Sequence, residues 1–109
     1  MPTNYKVLGQ SNPAATTLTT LYTVPSATEA VVSSIVIANL AASAATFRIA
    51  IRPNGASIAT SQYIAYDITV GASDSTVLTL GLTLDAADVL SVYASTTTVT
   101  FSAYGSEIS

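Results

Sequence analysis

Apolar and polar residues alternate with a period of two along most of the chain, and this is the period of a half-buried β-strand. The alternation is clearest in three stretches, at 47–52, 78–84 and 98–103. Thr, Val, Ile and Tyr are frequent in and around these stretches, and branched and aromatic side chains suit the pleated surface of a sheet. The pattern therefore predicts strands rather than helices.

Residues with turn chemistry separate eight such stretches. Pro13 and Pro25 cannot donate a hydrogen bond to a strand ladder, and Asn54-Gly55 tolerates positive φ. The predicted strands are 5–10, 16–24, 30–39, 46–52, 62–70, 75–84, 89–94 and 98–104. Short, closely spaced strands predict an all-β fold, a single two-sheet antiparallel β-sandwich of about eight strands with a jelly-roll-like arrangement. The 109 residues suffice for one domain, which we expect to span 1–109.

The predicted third strand, 30–39, is apolar on both faces towards its end. A strand of this kind lies either at the centre of the core or in a contact between subunits. A central position in the core is the more common arrangement, and we expect it here.

This protein has few charged residues to solvate its surface. Charged residues make up 8% of the chain and the mean hydropathy is +0.53, whereas a free-standing domain has about 25% charged residues. The 17 Thr and 14 Ser residues must cover much of the exterior. A weakly charged exterior of this kind favours coverage by other chains, so we expect a homo-oligomer.

Several functional classes are excluded by missing residue types. The chain contains no His, Cys or Trp. Without imidazole or thiol it has neither the base of a Ser-His-Asp relay nor the usual ligands of zinc, haem or iron–sulfur clusters. Three basic residues and a net charge of −3 cannot neutralise a nucleic-acid backbone. We therefore expect no catalytic residue, no cofactor, no metal site and no nucleic-acid partner. We also expect no membrane insertion, because polar residues interrupt the longest uncharged segment, 30–47.

Three aspartates lie in predicted turns. Asp74 precedes the sixth strand, and Asp85 and Asp88 flank the connection before the seventh. Paired carboxylates can perform acid–base chemistry or bind calcium. No glycine-bearing calcium loop surrounds them, so we expect them to cap turns by accepting backbone hydrogen bonds.

Two arginines and an aspartate are candidates for a specific contact. Arg48 and Arg52 lie on one face of the predicted fourth strand, with Ala50 between them. Asp67 is predicted to share a face with Tyr63 and Ala65 on the fifth strand. An Arg–Asp pair could join neighbouring strands or subunits, and simple solvation of the sheet face is the alternative.

Tyrosine is the dominant aromatic residue, with six Tyr against two Phe. Its apolar ring and polar tip make it common at protein interfaces. Three Tyr residues lie near predicted strand ends, where they could contact a neighbour or only cover the ends of the sandwich. The candidate interface residues are Tyr5, Tyr22, Arg48, Arg52, Tyr63, Asp67 and Tyr104.

Several segments resemble small structural proteins from the virions of tailed bacteriophages. They are 5–10 (YKVLGQ), 20–25 (TLYTVP), 47–53 (FRIAIRP), 63–67 (YIAYD) and 105–108 (GSEI), so that the resemblance spans nearly the whole chain. The resemblance implies a β-sandwich on the outside of the particle and supplies no enzymatic residues.

These observations together favour a non-enzymatic capsid decoration, or cement, protein. It would be made in the host cytoplasm and lie on the outer surface of the virion. As a decoration protein we expect it to form a homo-oligomer, specifically a trimer, that binds the major capsid protein or other virion proteins at capsomer junctions. A tail, baseplate or fibre component is the first alternative. A carbohydrate-binding module with Tyr residues in an exposed groove is the second, and an enzyme that uses Asp85 is the weakest.

Overall fold

The computed structural model describes residues 3–109, which fold into eight β-strands and two short 3₁₀ segments, Pro53–Gly55 and Thr60–Gln62. The strands are β1 (Thr3–Ser11), β2 (Thr19–Thr23), β3 (Glu29–Asn39), β4 (Ala45–Arg52), β5 (Tyr63–Val70), β6 (Ser75–Leu84), β7 (Val89–Ala94) and β8 (Val99–Ile108). Each predicted strand overlaps one of these. Within residues 3–109 we find no helix with the length and apolar content needed to cross a membrane.

The strands form two four-stranded antiparallel sheets with the orders β1-β8-β3-β6 and β2-β7-β4-β5. The pairs β1/β8, β2/β7, β3/β6 and β4/β5 correspond to one long hairpin that has been rolled up, so that successive pairs alternate between the sheets. This is the strand order of a jelly roll. The predicted two-sheet sandwich is confirmed.

Inward-facing residues of the two sheets form one core. On β4, the alternate residues Ala45, Phe47 and Ile49 are buried, while Arg48 between them points outward. The Phe47 and Phe101 rings meet across the core with their centroids 6.2 Å apart and their planes at 75°. This edge-to-face contact is a favourable aromatic geometry, and it joins β4 of one sheet to β8 of the other.

Strand β3 is central, as the sequence predicts, because it pairs with both β6 and β8. Ile35 and Ile37 are completely buried on its inner face. Val36 and Ala38 point outward and are only partly exposed. The two apolar faces of β3 therefore have different environments. The inner face packs in the core, and the outer face is part of a weakly polar exterior.

All four edge strands, β1, β2, β5 and β6, have register shifts in their ladders. In β1 the shift lies between Val7 and Gly9, and β5 has two shifts opposite β4. Irregular edges twist the free backbone groups out of line and hinder the addition of a further strand. A neighbouring chain would therefore contact the outer faces of this sandwich more readily than its edges.

One buried polar side chain holds three connections together at one end of the sandwich. Asn39 is 2% exposed. Its amide nitrogen donates to the carbonyl oxygens of Ser43, Gly71 and Val70 at 2.8, 3.2 and 3.4 Å, and its amide oxygen accepts from the Ala41 N–H and the Thr98 hydroxyl. The β3–β4, β5–β6 and β7–β8 connections are thus tied to a single amide.

We expect Asn39→Ala to lower the free energy of unfolding by about 3 kcal/mol, because several buried backbone groups lose their partner. Urea unfolding followed by circular dichroism measures the change. Asn4→Ala, at an exposed position of β1, is the control and should change stability by less than about 0.5 kcal/mol. Equal effects of the two substitutions would contradict this role for Asn39.

Gly105 and Gly81 both lie in strands, but only Gly105 has a close neighbour where a side chain would be. A Cβ atom at Gly105 would overlap the Val31 carbonyl oxygen on the adjacent strand, whereas a Cβ atom at Gly81 would meet nothing within 4 Å. We expect Gly105→Ala to destabilise the fold by about 2 kcal/mol or more through overpacking. Gly81→Ala should be neutral or stabilising by up to about 1 kcal/mol. Thermal unfolding of both variants checks the difference, and a stable Gly105→Ala protein would rule out the close approach.

Candidate functional surfaces

The predicted contact between Arg48 and Asp67 is present, and two Tyr rings enclose it. The Arg48 Nε donates to one Asp67 carboxylate oxygen at 2.6 Å, and Nη2 lies 3.4 Å from the other. The guanidinium carbon lies 4.1 Å from the ring centroid of Tyr66 and 4.2 Å from that of Tyr93, distances at which a cation–π attraction operates. The hydrogen bond to Asp67 raises the pKa of Arg48 further above its usual value. The arginine is therefore held rigidly on the outer face of the second sheet.

The backbone of β5 explains how Asp67 reaches Arg48, and it corrects one prediction. Asp67 has a φ of 52°, and the pairing of β5 with β4 shifts twice. These irregularities break the alternation that the sequence analysis assumed. Ala65 packs against the core, whereas Asp67 bonds to Arg48 on the outer face. The expectation that Tyr63, Ala65 and Asp67 share one face is therefore wrong.

Strand β5 also exposes three large apolar side chains. Ile64, Tyr66 and Ile68 are 44%, 55% and 43% exposed. The ring of Tyr63 packs edge-on against Tyr66, with the centroids 4.9 Å apart. Ile68 pairs with the inward-facing Phe47 and therefore lies on the opposite face of the sheet from Arg48. We call Arg48, Ile64, Tyr66 and Asp67 the β5 patch. Exposed aromatic and apolar groups around a neutralised arginine are typical of protein contact surfaces.

Arg52, the second arginine of β4, contacts its own chain. Its Nε donates to the Ser91 hydroxyl at 3.1 Å, and its Nη1 donates to the carbonyl oxygens of Gly55 and Ala56 at 3.4 and 3.1 Å. Ser91 and its cross-strand partner Ala50 point away from the core and are nevertheless completely buried. The connection from β4 to β5 therefore covers this part of the outer face, with Arg52 holding it in place.

Tyr22 lies in the interior rather than on an exposed contact surface. It is 7% exposed, and its hydroxyl donates to a Glu107 carboxylate oxygen at 2.5 Å, while the Lys6 ammonium lies 3.2 Å from the other oxygen. Burial, followed by the hydrogen bond to Glu107, raises the pKa of Tyr22. The hydrogen bond from Tyr22 and then the contact with Lys6 lower the pKa of Glu107. The three side chains close the edge of the sandwich where β1, β2 and β8 meet.

Tyr5 and Tyr104 lie together on the outer face of the first sheet. Tyr5 is 86% exposed and Tyr104 is partly exposed. They belong to neighbouring rows of this face, because Tyr104 pairs with Val7, two residues from Tyr5. Both therefore remain available to a neighbouring chain.

The three turn aspartates act as caps, as the sequence predicts. Asp88 accepts the backbone N–H groups of Asn54 and Asp85 at 2.8 and 2.9 Å. Asp74 and Asp85 each accept the N–H of the next residue at 2.8 Å. Among residues 3–109, no group of three His, Cys, Asp or Glu side chains is arranged to hold a metal ion.

Sequence reasoning did not single out Tyr93. Its outward position on β7 follows from simple alternation, but its place beside Arg48 depends on the pairing of β4 with β7. Those strands are separated by two others along the chain. No local pattern could have indicated that contact.

The contact between Tyr22 and Glu107 makes a pH-dependent prediction. A carboxylate whose pKa is lowered by folding stabilises the protein above its unfolded pKa, and that contribution is lost as the pH falls through the folded pKa. We expect Tyr22→Phe to cost about 1–2 kcal/mol at pH 7, and to cost less below the usual Glu pKa of 4.5. Denaturant unfolding from pH 7 to 3 measures this. Tyr5→Phe is the control, and a pH-independent cost of Tyr22→Phe would contradict the prediction.

Comparison with known proteins adds no assignment. No model of a known protein family matches the chain, and no curated protein matches it.

Proposed function

We propose that this chain is a non-enzymatic structural protein of a bacteriophage virion, and specifically a capsid decoration protein. It binds as a homo-oligomer on the outer surface of the head, against the major capsid protein, and opposes separation of the shell subunits. Viral capsid proteins are among the proteins that use the jelly roll. Since many functions share this fold, the fold is compatible with the proposal without carrying it.

The distribution of exposed apolar side chains carries the proposal. Among residues 3–109, eight large apolar residues are more than 40% exposed. Tyr5, Val7 and Val77 lie on the first sheet, Ile64, Tyr66 and Ile68 lie on the second, and Leu40 and Ile58 lie in connections. In a chain with 8% charged residues, such positions favour coverage by neighbours on more than one side. A subunit that contacts both its own copies and a shell needs separate surfaces of this kind.

The β5 patch is the surface that we assign to the shell. Arg48 is already paired with Asp67, so a partner need not supply a charge to satisfy it. The rings of Tyr66 and Tyr93 are held against the Arg48 guanidinium, so these side chains lose little conformational entropy when a partner binds. Many weak contacts of this kind, repeated over a particle, give strong overall retention.

Mass spectrometry of density-purified particles tests the assignment to a virion. We expect the chain in particles of the virus that encodes it, in hundreds of copies relative to the major capsid protein. A small multiple of three or six copies would instead indicate a tail, baseplate or fibre component. Absence from the particles would overturn the proposal, and specific binding of the purified protein on a glycan array would then favour a carbohydrate-binding module.

Substitutions in the β5 patch test the shell contact. We expect Arg48→Ala and Tyr66→Ala to weaken co-sedimentation with shells stripped of this protein at least tenfold. Folding should be affected less, because Tyr66 and Asp67 are about half exposed and partly exposed ion pairs contribute little, about 0–1 kcal/mol. Ser57→Ala, at an exposed polar position of the β4–β5 connection, is the control. Unchanged affinity together with a lowered melting temperature would show that the patch serves folding only.

A further inference from the structure

The outer face of the β1-β8-β3-β6 sheet is covered by four cross-strand rows of side chains. The rows are Ser75, Ala38 and Thr100; Val77, Val36, Ser102 and Gln10; Thr79, Ser34, Tyr104 and Val7; and Thr83, Val31, Ser106 and Tyr5. None of these residues is charged. We call this surface the uncharged face.

The charged residues of the same sheet lie inside or beyond the rows. Glu107 lies on the opposite face of the sheet, where it accepts a hydrogen bond from Tyr22 of the other sheet. Lys6 lies on that face too, at the edge of the sandwich, where its half-exposed side chain pairs with Glu107. Glu29 pairs with Ile108 one row beyond the uncharged face, at the end of β3. An antiparallel sheet with one solvated face ordinarily presents polar residues there, and charged residues are the commonest way to keep such a face in water.

The outer faces of the two sheets differ in how they are covered. On the second sheet, Ala50 and Ser91 are completely buried beneath the β4–β5 connection, which Arg52 holds in place. On the first sheet, Tyr5, Val77 and Val7 are 86%, 59% and 46% exposed. The molecule therefore covers part of one outer face with its own chain and leaves apolar groups in water on the other.

We propose that the uncharged face is where two copies of this chain pack together, sheet against sheet, about a two-fold axis. Each copy has a net charge of −3, so that two copies repel wherever their charged surfaces meet. A contact between identical chains is least opposed where charge is absent, which the four rows provide. The irregular edges of all four edge strands favour packing of faces over extension of a sheet.

The size of the face meets the lower limit for a specific contact. Four strands at about 4.8 Å spacing and nine residues at about 3.4 Å rise give roughly 19 by 30 Å. Two copies would thus bury about 1,100 Å² together, which reaches the roughly 1,000 Å² that a specific interface needs. Val7, Val77 and the Tyr rings supply apolar area of the kind found in interface centres.

This inference deepens the proposed function by naming the contact between copies, and it predicts an even number of chains rather than the trimer expected from the sequence. It is independent of the β5 patch, which lies on the other sheet and stays free for the shell. The test below needs only the purified protein, so its failure would leave the virion experiment to decide the proposed function separately.

Sedimentation equilibrium of three lysine variants tests the two-fold contact. We expect the unmodified protein to have twice the chain mass of 11.1 kDa at micromolar concentration. Val77→Lys and Ser102→Lys, in one row of the uncharged face, should raise the dissociation constant at least 100-fold. Ser57→Lys adds the same charge at an exposed polar position of the β4–β5 connection, and it should leave the dimer unchanged. Circular dichroism confirms that each variant is folded.

Three outcomes would overturn the inference. The first is a monomer for the unmodified protein up to millimolar concentration. The second is a mass of three chains, since a two-fold contact cannot produce a closed trimer. The third is a dimer that persists in folded Val77→Lys and Ser102→Lys proteins.

Discussion

The edge-to-face contact between Phe47 and Phe101 is the interaction on which the arrangement of both outer surfaces depends. It joins the two sheets at the centre of the core. Side chains alternate along a strand. Because Phe47 faces the core, Arg48 lies on the outer face of the second sheet, and because Phe101 faces the core, Ser102 lies on the outer face of the first. The inward positions of these two rings thus determine which residues form the β5 patch and which form the uncharged face. A one-residue slip of either strand would exchange core and surface.

Much of this fold could be predicted because alternation and turn chemistry are local properties. The eight strands, the central position of β3 and the capping role of the turn aspartates all follow from neighbouring residues. The departures arise where long-range pairing overrides the local pattern. The positive φ of Asp67 and the shifts in β5 depend on how this strand fits against β4, and the burial of Tyr22 depends on Glu107, which is 85 residues away.

Asn39 shows, for a polar residue, the same limit on what a local sequence pattern can predict. In the sequence it is an ordinary strand-ending residue before a loop of small side chains. In the fold its amide bonds to backbone groups of two connections and to the Thr98 hydroxyl of a third, and these connections meet only after the jelly roll has formed. The candidate site divides in a similar way. The Arg48–Asp67 pair could be anticipated from strand patterns, whereas Tyr93, the second ring on Arg48, could not.

The two outer surfaces suit a building block that contacts two kinds of neighbour. One presents the contact of Arg48 with two Tyr rings and the exposed Ile64, and the other presents four rows without charge. A density map of an assembled particle at near-atomic resolution tests this account most directly. The account predicts that polypeptide covers both the β5 patch and the uncharged face. A particle in which this chain leaves both surfaces open to solvent, or contains no copy of it, would contradict the account.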